Sequence, residues 1–168
     1  LTSGRISIAD SYNDRIRKVS PTGTITTVAG NGVHAFAGDG GPAILASLAT
    51  PSGVAFDAVG SLLIADTNNQ VVRRVLPDGT ILTVAGHGSN FPWGFSGDGG
   101  PATAATMRNP RSVAIDGSGN LLIADTGNHR IRKVRVLREG SGLRPVGSSL
   151  WSSAIINRSR QKTTARAS

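Results

Sequence analysis

The chain has 168 residues, no cysteine, 22 glycines, 8 prolines and a formal net charge of +8. That length holds one ordinary domain with a real core and is too short for two. The absence of cysteine excludes a disulfide scaffold, a thiolate metal site and a cysteine nucleophile. No run approaches the ~18 apolar residues of a membrane helix, so no membrane span is expected.

The sequence opens at Leu1 rather than at a methionine, and its first residues do not have the charged-then-apolar pattern of an export leader. Glycine, threonine, alanine and valine are abundant, while glutamate occurs once, at Glu139. Such a mixture disfavours a helical bundle and favours short strands joined by glycine-rich turns. The charge is uneven. Residues 1–134 hold 11 Lys+Arg against 9 Asp, whereas residues 135–168 hold 7 Lys+Arg against one Glu. The body gives no electrostatic reason to expect a polyanion. The end of the chain, 137–168, reads as a basic Ser/Arg-rich tail that is expected to be disordered on composition.

The body repeats itself. Ile8-Ala9-Asp10, Ile64-Ala65-Asp66 and Ile123-Ala124-Asp125 open three copies of one pattern, 56 and then 59 residues apart at the aspartate. Each copy runs on through an asparagine (Asn13, Asn69, Asn128), an aliphatic residue, two cations (Arg17-Lys18, Arg73-Arg74, Arg132-Lys133) and a valine. The first two copies continue as Pro-x-Gly-Thr-Ile and close on Val-Ala-Gly, and both are followed by Gly-Asp-Gly-Gly-Pro-Ala at 38–43 and 97–102.

In chain order, residues 1–30 are expected to form a partial unit of three strands, its last strand Thr24–Ala29, with an inter-unit loop over 31–50. A full unit over 51–86 follows, with strands Gly53–Asp57, Leu62–Ala65, Val71–Leu76 and Thr80–Ala85. A second inter-unit loop spans 87–109. A further partial unit spans 110–136, with strands Ser112–Asp116, Leu121–Ala124 and Arg130–Val136. Asp-Thr-Asn-Asn, Asp-Thr-Gly-Asn and Pro-Asp-Gly supply the turns between them. Several strands are apolar on both faces, as a sheet packed between two similar sheets requires. Four short antiparallel strands per unit, repeated about an axis, make an all-β fold of β-propeller blades.

Ala-Asp-Thr-Gly-Asn-His-Arg-Ile-Arg-Lys-Val at 124–134 resembles an NHL repeat, with Asn128-His129 matching the first two letters of that name. The fuller unit is similar to bacterial NHL arrays and to the related region of teneurins, over about residues 5–134. The resemblance implies an NHL-type propeller. It also implies a role drawn from protein binding, the sensor domains of receptor kinases or RNA binding, with lyases and sugar-lactone hydrolases on a related branch. It favours an extracellular or periplasmic setting in a bacterial protein. Such propellers close with about six blades. One whole blade with parts of two others, and the missing Pro-x-Gly-Thr-Ile after Val134, read as a fragment of a longer propeller.

The candidate residues for chemistry are nearly all repeat positions. Asp10, Asp66 and Asp125 recur once per unit, which suits turn structure better than one active site, and they are expected to cap the turn backbone together with Asn13, Asn69 and Asn128. The Gly-Asp-Gly-Gly-Pro-Ala loops lack the Lys-Ser/Thr of a phosphate loop and the ligand number that calcium needs. Pro42 and Pro101 suit the start of a short helix over Ala43–Ser47 and Ala102–Thr106, making the loop an inter-blade connection. His34, His87 and His129 offer no convergent ligand set, so neither metal nor cofactor is expected. No Gly-x-Ser-x-Gly elbow or carboxylate pair occurs, and the pattern leans away from an enzyme.

Ser89–Phe95 breaks the repeat. It is three residues longer than its counterpart and holds Phe91, Trp93 and Phe95, three of the seven aromatics. Aromatics stiffened by Pro92 suit a binding hot spot, and packing between blades is the competing reading. Two classes of function remain beside the disfavoured lactonase- or lyase-type enzyme. The first is a noncatalytic interaction module with a protein or glycan ligand. The second is nucleic-acid binding through the paired cations, which strand alternation sends to opposite faces, so that they form no continuous basic stripe.

Overall fold

The computed structural model describes residues 6–88 and 94–135. Ten strands form three antiparallel sheets. The first sheet is β1 (Ile6–Asp10), β2 (Arg15–Val19) and β3 (Ile25–Ala29), in that order. The second has four strands, β4 (Pro51–Phe56), β5 (Leu62–Asp66), β6 (Val71–Val75) and β7 (Ile81–Ala85). The third is β8 (Pro110–Ile115), β9 (Leu121–Asp125) and β10 (Arg130–Val134). The three sheets are successive propeller blades, the middle one complete. The expected tail at 137–168 lies outside the described residues.

Local chemistry accounts for the turns. The Asp57 carboxylate accepts the backbone N–H groups of Val59 and Ser61, and Asp116 accepts those of Ser118 and Asn120 in the same place one repeat later. The second turn of each blade is a single 3₁₀ turn, at Ser11–Asn13, Thr67–Asn69 and Thr126–Asn128. Each ends on a residue in the left-handed region, Asp14, Gln70 or His129. These five-residue strands and tight turns leave little room for register error, and β5 pairs β6 one-for-one from Leu62↔Val75 to Asp66↔Val71.

The core lies between the sheets. Ile16 and Ala29 of the first blade meet Leu62, Ile64, Val75 and Ile81 of the second across Ala43, Ala46 and Leu48. Leu63, Ala65 and Val72 on the other side of the second blade meet Val113, Leu121 and Ile123 of the third, with Ala105 and Met107 between. The middle blade is therefore covered on both faces, and every residue from Leu62 to Thr67 is buried. Two-sided apolar strands follow from that position.

Two expected elements differ in detail. The first strands of the second and third blades begin at Pro51 and Pro110, two residues early, because a bulge just after each proline accommodates a residue with no N–H to donate. The expected short helices after Pro42 and Pro101 are only single 3₁₀ turns, Ala43–Leu45 and Ala102–Ala104. Their carbonyls are drawn elsewhere. The N–H of Gly30 donates to the Ala43 carbonyl at 2.9 Å, that of Asn31 to Ala46 at 2.9 Å, and that of Gly86 to Ala102 at 2.9 Å. Those bonds tie the loop to the end of the preceding blade and stop helix growth.

Candidate functional site

The recurring polar residues meet at the junctions between blades. Arg73 on β6 is fully buried, as is Asp66 beside it on β5. Arg73 reaches Asp66 at 3.4 Å, the Asp39 carboxylate at 2.7 Å and the carbonyls of Ala37 and Ser47. One repeat later Arg132, also fully buried, bonds Asp98 at 2.8 Å and the carbonyls of Ser96 and Thr106, and lies 3.6 Å from Asp125. The strand supplies an arginine and an aspartate, and the loop that enters the blade supplies a second aspartate and two carbonyls. A buried guanidinium needs that number of acceptors to offset its lost hydration.

The three pattern aspartates bond the side chain of the turn asparagine rather than the turn backbone. Asn13 donates to Asp10 at 2.8 Å, Asn69 to Asp66 at 2.8 Å and Asn128 to Asp125 at 2.9 Å. Asp66 also accepts the N–H of Ala49, and Asp125 that of Arg108, so each stitches the incoming loop to its blade. Burial pushes the Asp66 carboxyl up to about 6, against the opposing pull of the Ala49 N–H, Asn69 and Arg73. On the surface, hydrogen bonds from Lys133 and then Asn120 hold Asp116 well below the usual carboxylate range.

The Gly-Asp-Gly-Gly-Pro-Ala loop is committed to backbone pairing. Gly40 donates to Ile81, Ile81 to Gly41 and Ala43 to Gly79, which lays the loop along the outer strand of the second blade. A Cβ at Gly38 would stand 2.7 Å from the Ala46 Cα, and one at Gly97 would stand 2.7 Å from the Ala105 Cα. These glycines therefore serve close packing of the loop on itself. A hollow of about 350 Å³ beside Val28, Pro42, Ile44 and Asp78 opens on this rim. The Asp78 carboxylate there accepts the Thr80 N–H, and no convergent set of catalytic groups lines it.

The histidines lie apart in their bonding. His34 Nδ1 is 3.1 Å from the Asp14 carboxylate, which also accepts the N–H of Thr50. His87 meets the Thr106 hydroxyl, and His129 fills the left-handed turn position. Among the described residues no three His, Cys, Asp or Glu side chains converge as a metal site would require.

Of the three aromatics singled out in the sequence, Phe91 and Trp93 lie outside the described residues. Phe95 is half-buried, its ring centroid 3.7 Å from the Arg130 guanidinium carbon and 4.8 Å from that of Arg132. Its counterpart Phe36 holds the same relation to Arg73, at 5.0 Å. The residues that flank 89–93 are held by neighbours: a Cβ at Gly88 would abut the Phe36 ring, and Asn128 donates to the Gly94 carbonyl.

Arg73 and Arg132 are the residues that sequence reasoning undervalued, as members of cation pairs weighed for nucleic-acid binding and sent to opposite faces by strand alternation. Their second members behave more as expected on the opposite side of the strand, Arg74 meeting Asp57 at 2.6 Å and Lys133 meeting Asp116 at 2.7 Å. A signal was present. The first cation recurs at fixed spacing both from the strand aspartate and from the aspartate of the preceding glycine-rich loop.

A family described as NHL repeat matches residues 107–134. Human Teneurin-1 is 35% identical over 102 residues, which is 55% of this chain and 4% of that protein. NHL repeat-containing protein 2 of Bos taurus is 32% identical over 136 residues, 74% of this chain and 18% of that one. This chain thus spans under a fifth of the length of either relative. Among solved structures, a protein of unknown function from Bacteroides thetaiotaomicron superposes with a TM-score of 0.67 at 26% identity, covering 77% of this chain and 32% of its own.

Proposed function

We propose that this chain, which belongs to the NHL-repeat β-propeller family, is a noncatalytic interaction module within a longer exported or cell-surface bacterial protein, with a protein or glycan as its ligand. The observation that carries this reading is the division of labour between repeat and insertion. The repeat carboxylates Asp39, Asp57, Asp66, Asp98, Asp116 and Asp125 are bonded to an arginine, a lysine or a backbone N–H inside the fold. They are spent on holding blades together and offer no acid–base pair to a substrate. The segment that breaks the repeat carries Phe91, Trp93 and Phe95 in its sequence, and the described Phe95 packs on Arg130. An aromatic-rich insertion carried between two rigid blades is suited to a binding anchor.

Nucleic-acid binding is the competing reading, and the engagement of Arg73, Arg74, Arg132 and Lys133 within the fold weakens it. Titration of a ligand selected by glycan array or pulldown separates the two. An aromatic anchor contributes about 2 kcal/mol or more, so Trp93→Ala weakens binding more than tenfold. Replacing the outlying cations Lys18 and Arg111 by serine has a smaller effect and leaves the salt dependence shallow. If the cation variants lose binding with a steep salt slope while Trp93→Ala binds like the parent, the ligand is a polyanion.

A further inference from the structure

The rim between the first and second blades carries side chains that the fold does not ask for, and the repeat itself is the control. Ile44 and Leu45, in the 3₁₀ turn of the first glycine-rich loop, are 53% and 66% exposed. Thr103 and Ala104 fill the same two positions one repeat later and are exposed as well. A small or polar residue facing water therefore satisfies the turn. Two large aliphatic side chains in that place add nothing to the core and leave apolar surface in water.

Ile44 lines the hollow of about 350 Å³ together with Val28 and Pro42, and Asp78 is the one charged group in its walls. The glycines that line it leave it open: a Cβ on Gly40 or Gly79 would meet no atom within 4 Å. Asp78 is also an exception among the aspartates. Each of the others has an arginine, lysine or histidine nitrogen within 3.6 Å, and Asp78 has none among the described residues. One of its oxygens accepts the Thr80 N–H at 2.9 Å. In the first blade that turn position is Thr22, and there the Ser20 hydroxyl accepts the N–H of Thr24. The hairpin thus closes without a carboxylate too. An aliphatic wall and an unneutralised carboxylate share one hollow, each at a position where the sister repeat has neither.

We infer that this hollow docks a lysine side chain from an extended segment of a partner protein. The unpaired carboxylate selects a cation, and the aliphatic walls select one with an apolar stem. Lysine lays its stem along Val28, Pro42 and Ile44 and brings its ammonium to Asp78. One Asp78 oxygen is already engaged by Thr80, which leaves a single acceptor for a point charge rather than the pair that a guanidinium fork engages. Leu45, next along the turn, needs an apolar neighbour that a free amine lacks, and this assigns the lysine to a peptide with an aliphatic residue beside it. The surface uses different residues from the aromatic insertion, so it stands whether or not that insertion binds a ligand.

The test is an NMR titration of the isotopically labelled full chain with the end-capped peptide Ala-Leu-Lys-Leu-Ala, followed at the backbone amides of Ile44, Gly79 and Thr80. Those signals shift saturably. Asp78→Asn keeps an oxygen for the Thr80 N–H and weakens binding about fivefold, as does norleucine in place of the peptide lysine. Ile44→Thr and Leu45→Ala, which copy the second loop, each weaken it about threefold. Asp116→Asn removes the same charge elsewhere and leaves the affinity unchanged. If Asp78→Asn does not fold, the norleucine peptide and Ile44→Thr decide. Absence of saturable shifts overturns the inference. So does equal affinity for the norleucine peptide, tighter binding of the arginine analogue, or binding of n-butylamine as tight as that of the peptide.

Discussion

Asp10–Arg17 and Asp66–Arg73 are the same two residues at the same spacing, one repeat apart, and the fold treats them differently. In the middle blade both side chains are fully buried, and the arginine also holds Asp39 and two loop carbonyls. In the first blade the pair sits 3.5 Å apart with 29% and 26% of the side chains exposed. What separates them is the glycine-rich loop, which lies against the entering face of the second and third blades. The strand pair is therefore half of a device. The loop completes it and converts a solvated contact into a buried network whose loss is costly.

The sharpest way to break that comparison is to remove the arginines one by one. Arg73→Ala strands Asp66 and Asp39, and Arg132→Ala strands Asp125 and Asp98. Loss of one partner from a buried pair costs about 3–5 kcal/mol, whereas Arg17→Ala costs about 0–1 kcal/mol. Urea unfolding of the three variants reads the difference directly. Equal losses at Arg17 and Arg73 would show that the loop adds nothing.

The loop itself is the next target. Gly38→Ala puts a Cβ 2.7 Å from the Ala46 Cα at a backbone φ of +92°, and the expected loss is at least about 2 kcal/mol. Gly40→Ala has a positive φ of +81° but no atom within 4 Å, so only the backbone cost of about 1–2 kcal/mol remains. If both lose the same amount, the close approach to Ala46 carries no energy.

A pH titration sharpens the comparison further. The folded Asp66 carboxyl is raised from 3.8 to about 6, so its proton is held more tightly in the folded state than in the unfolded chain. Its contribution to stability is therefore complete below about 3.8 and is lost as pH rises through about 6, a swing of about 1–3 kcal/mol. Asp116, depressed by Lys133, works in the opposite sense, and its contribution fades as the medium becomes strongly acidic. The difference in stability between Asp66→Asn and the parent, followed from pH 7 to pH 4, isolates the buried site. A difference that is flat across that range contradicts the assignment.

The smallest effect concerns the clasp between blades. The Gln70 side-chain carbonyl accepts the N–H of Asn109, as Asp14 accepts that of Thr50. Gln70→Ala removes that bond together with the 3.3 Å bond from the Gln70 amide to the Asn109 side chain, and costs about 0.5–1.5 kcal/mol in thermal or urea unfolding.

Much of this was legible from residue order because it is local. Asp57 and Asp116 close turns onto N–H groups two and four residues ahead, and the proline-glycine signals mark the hairpins. Three strands in register with three copies of Ile-Ala-Asp follow from those turns and from β propensity, without reference to any distant part of the chain. The antiparallel order of strands within each sheet was therefore readable.

Partnership over 26 to 44 residues was not. Arg17, Arg73 and Arg132 are alike in sequence, and only the path of the loop through Asp39 or Asp98 decides which of them loses water. The same holds for Ile6 and Ile131, whose apolar character suits burial while their exposure depends on what lies beyond the sheet. Turn chemistry is written within a few residues of itself. Burial is a property of neighbours, and in a repeat fold identical residues take different energies from the blades and loops packed against them.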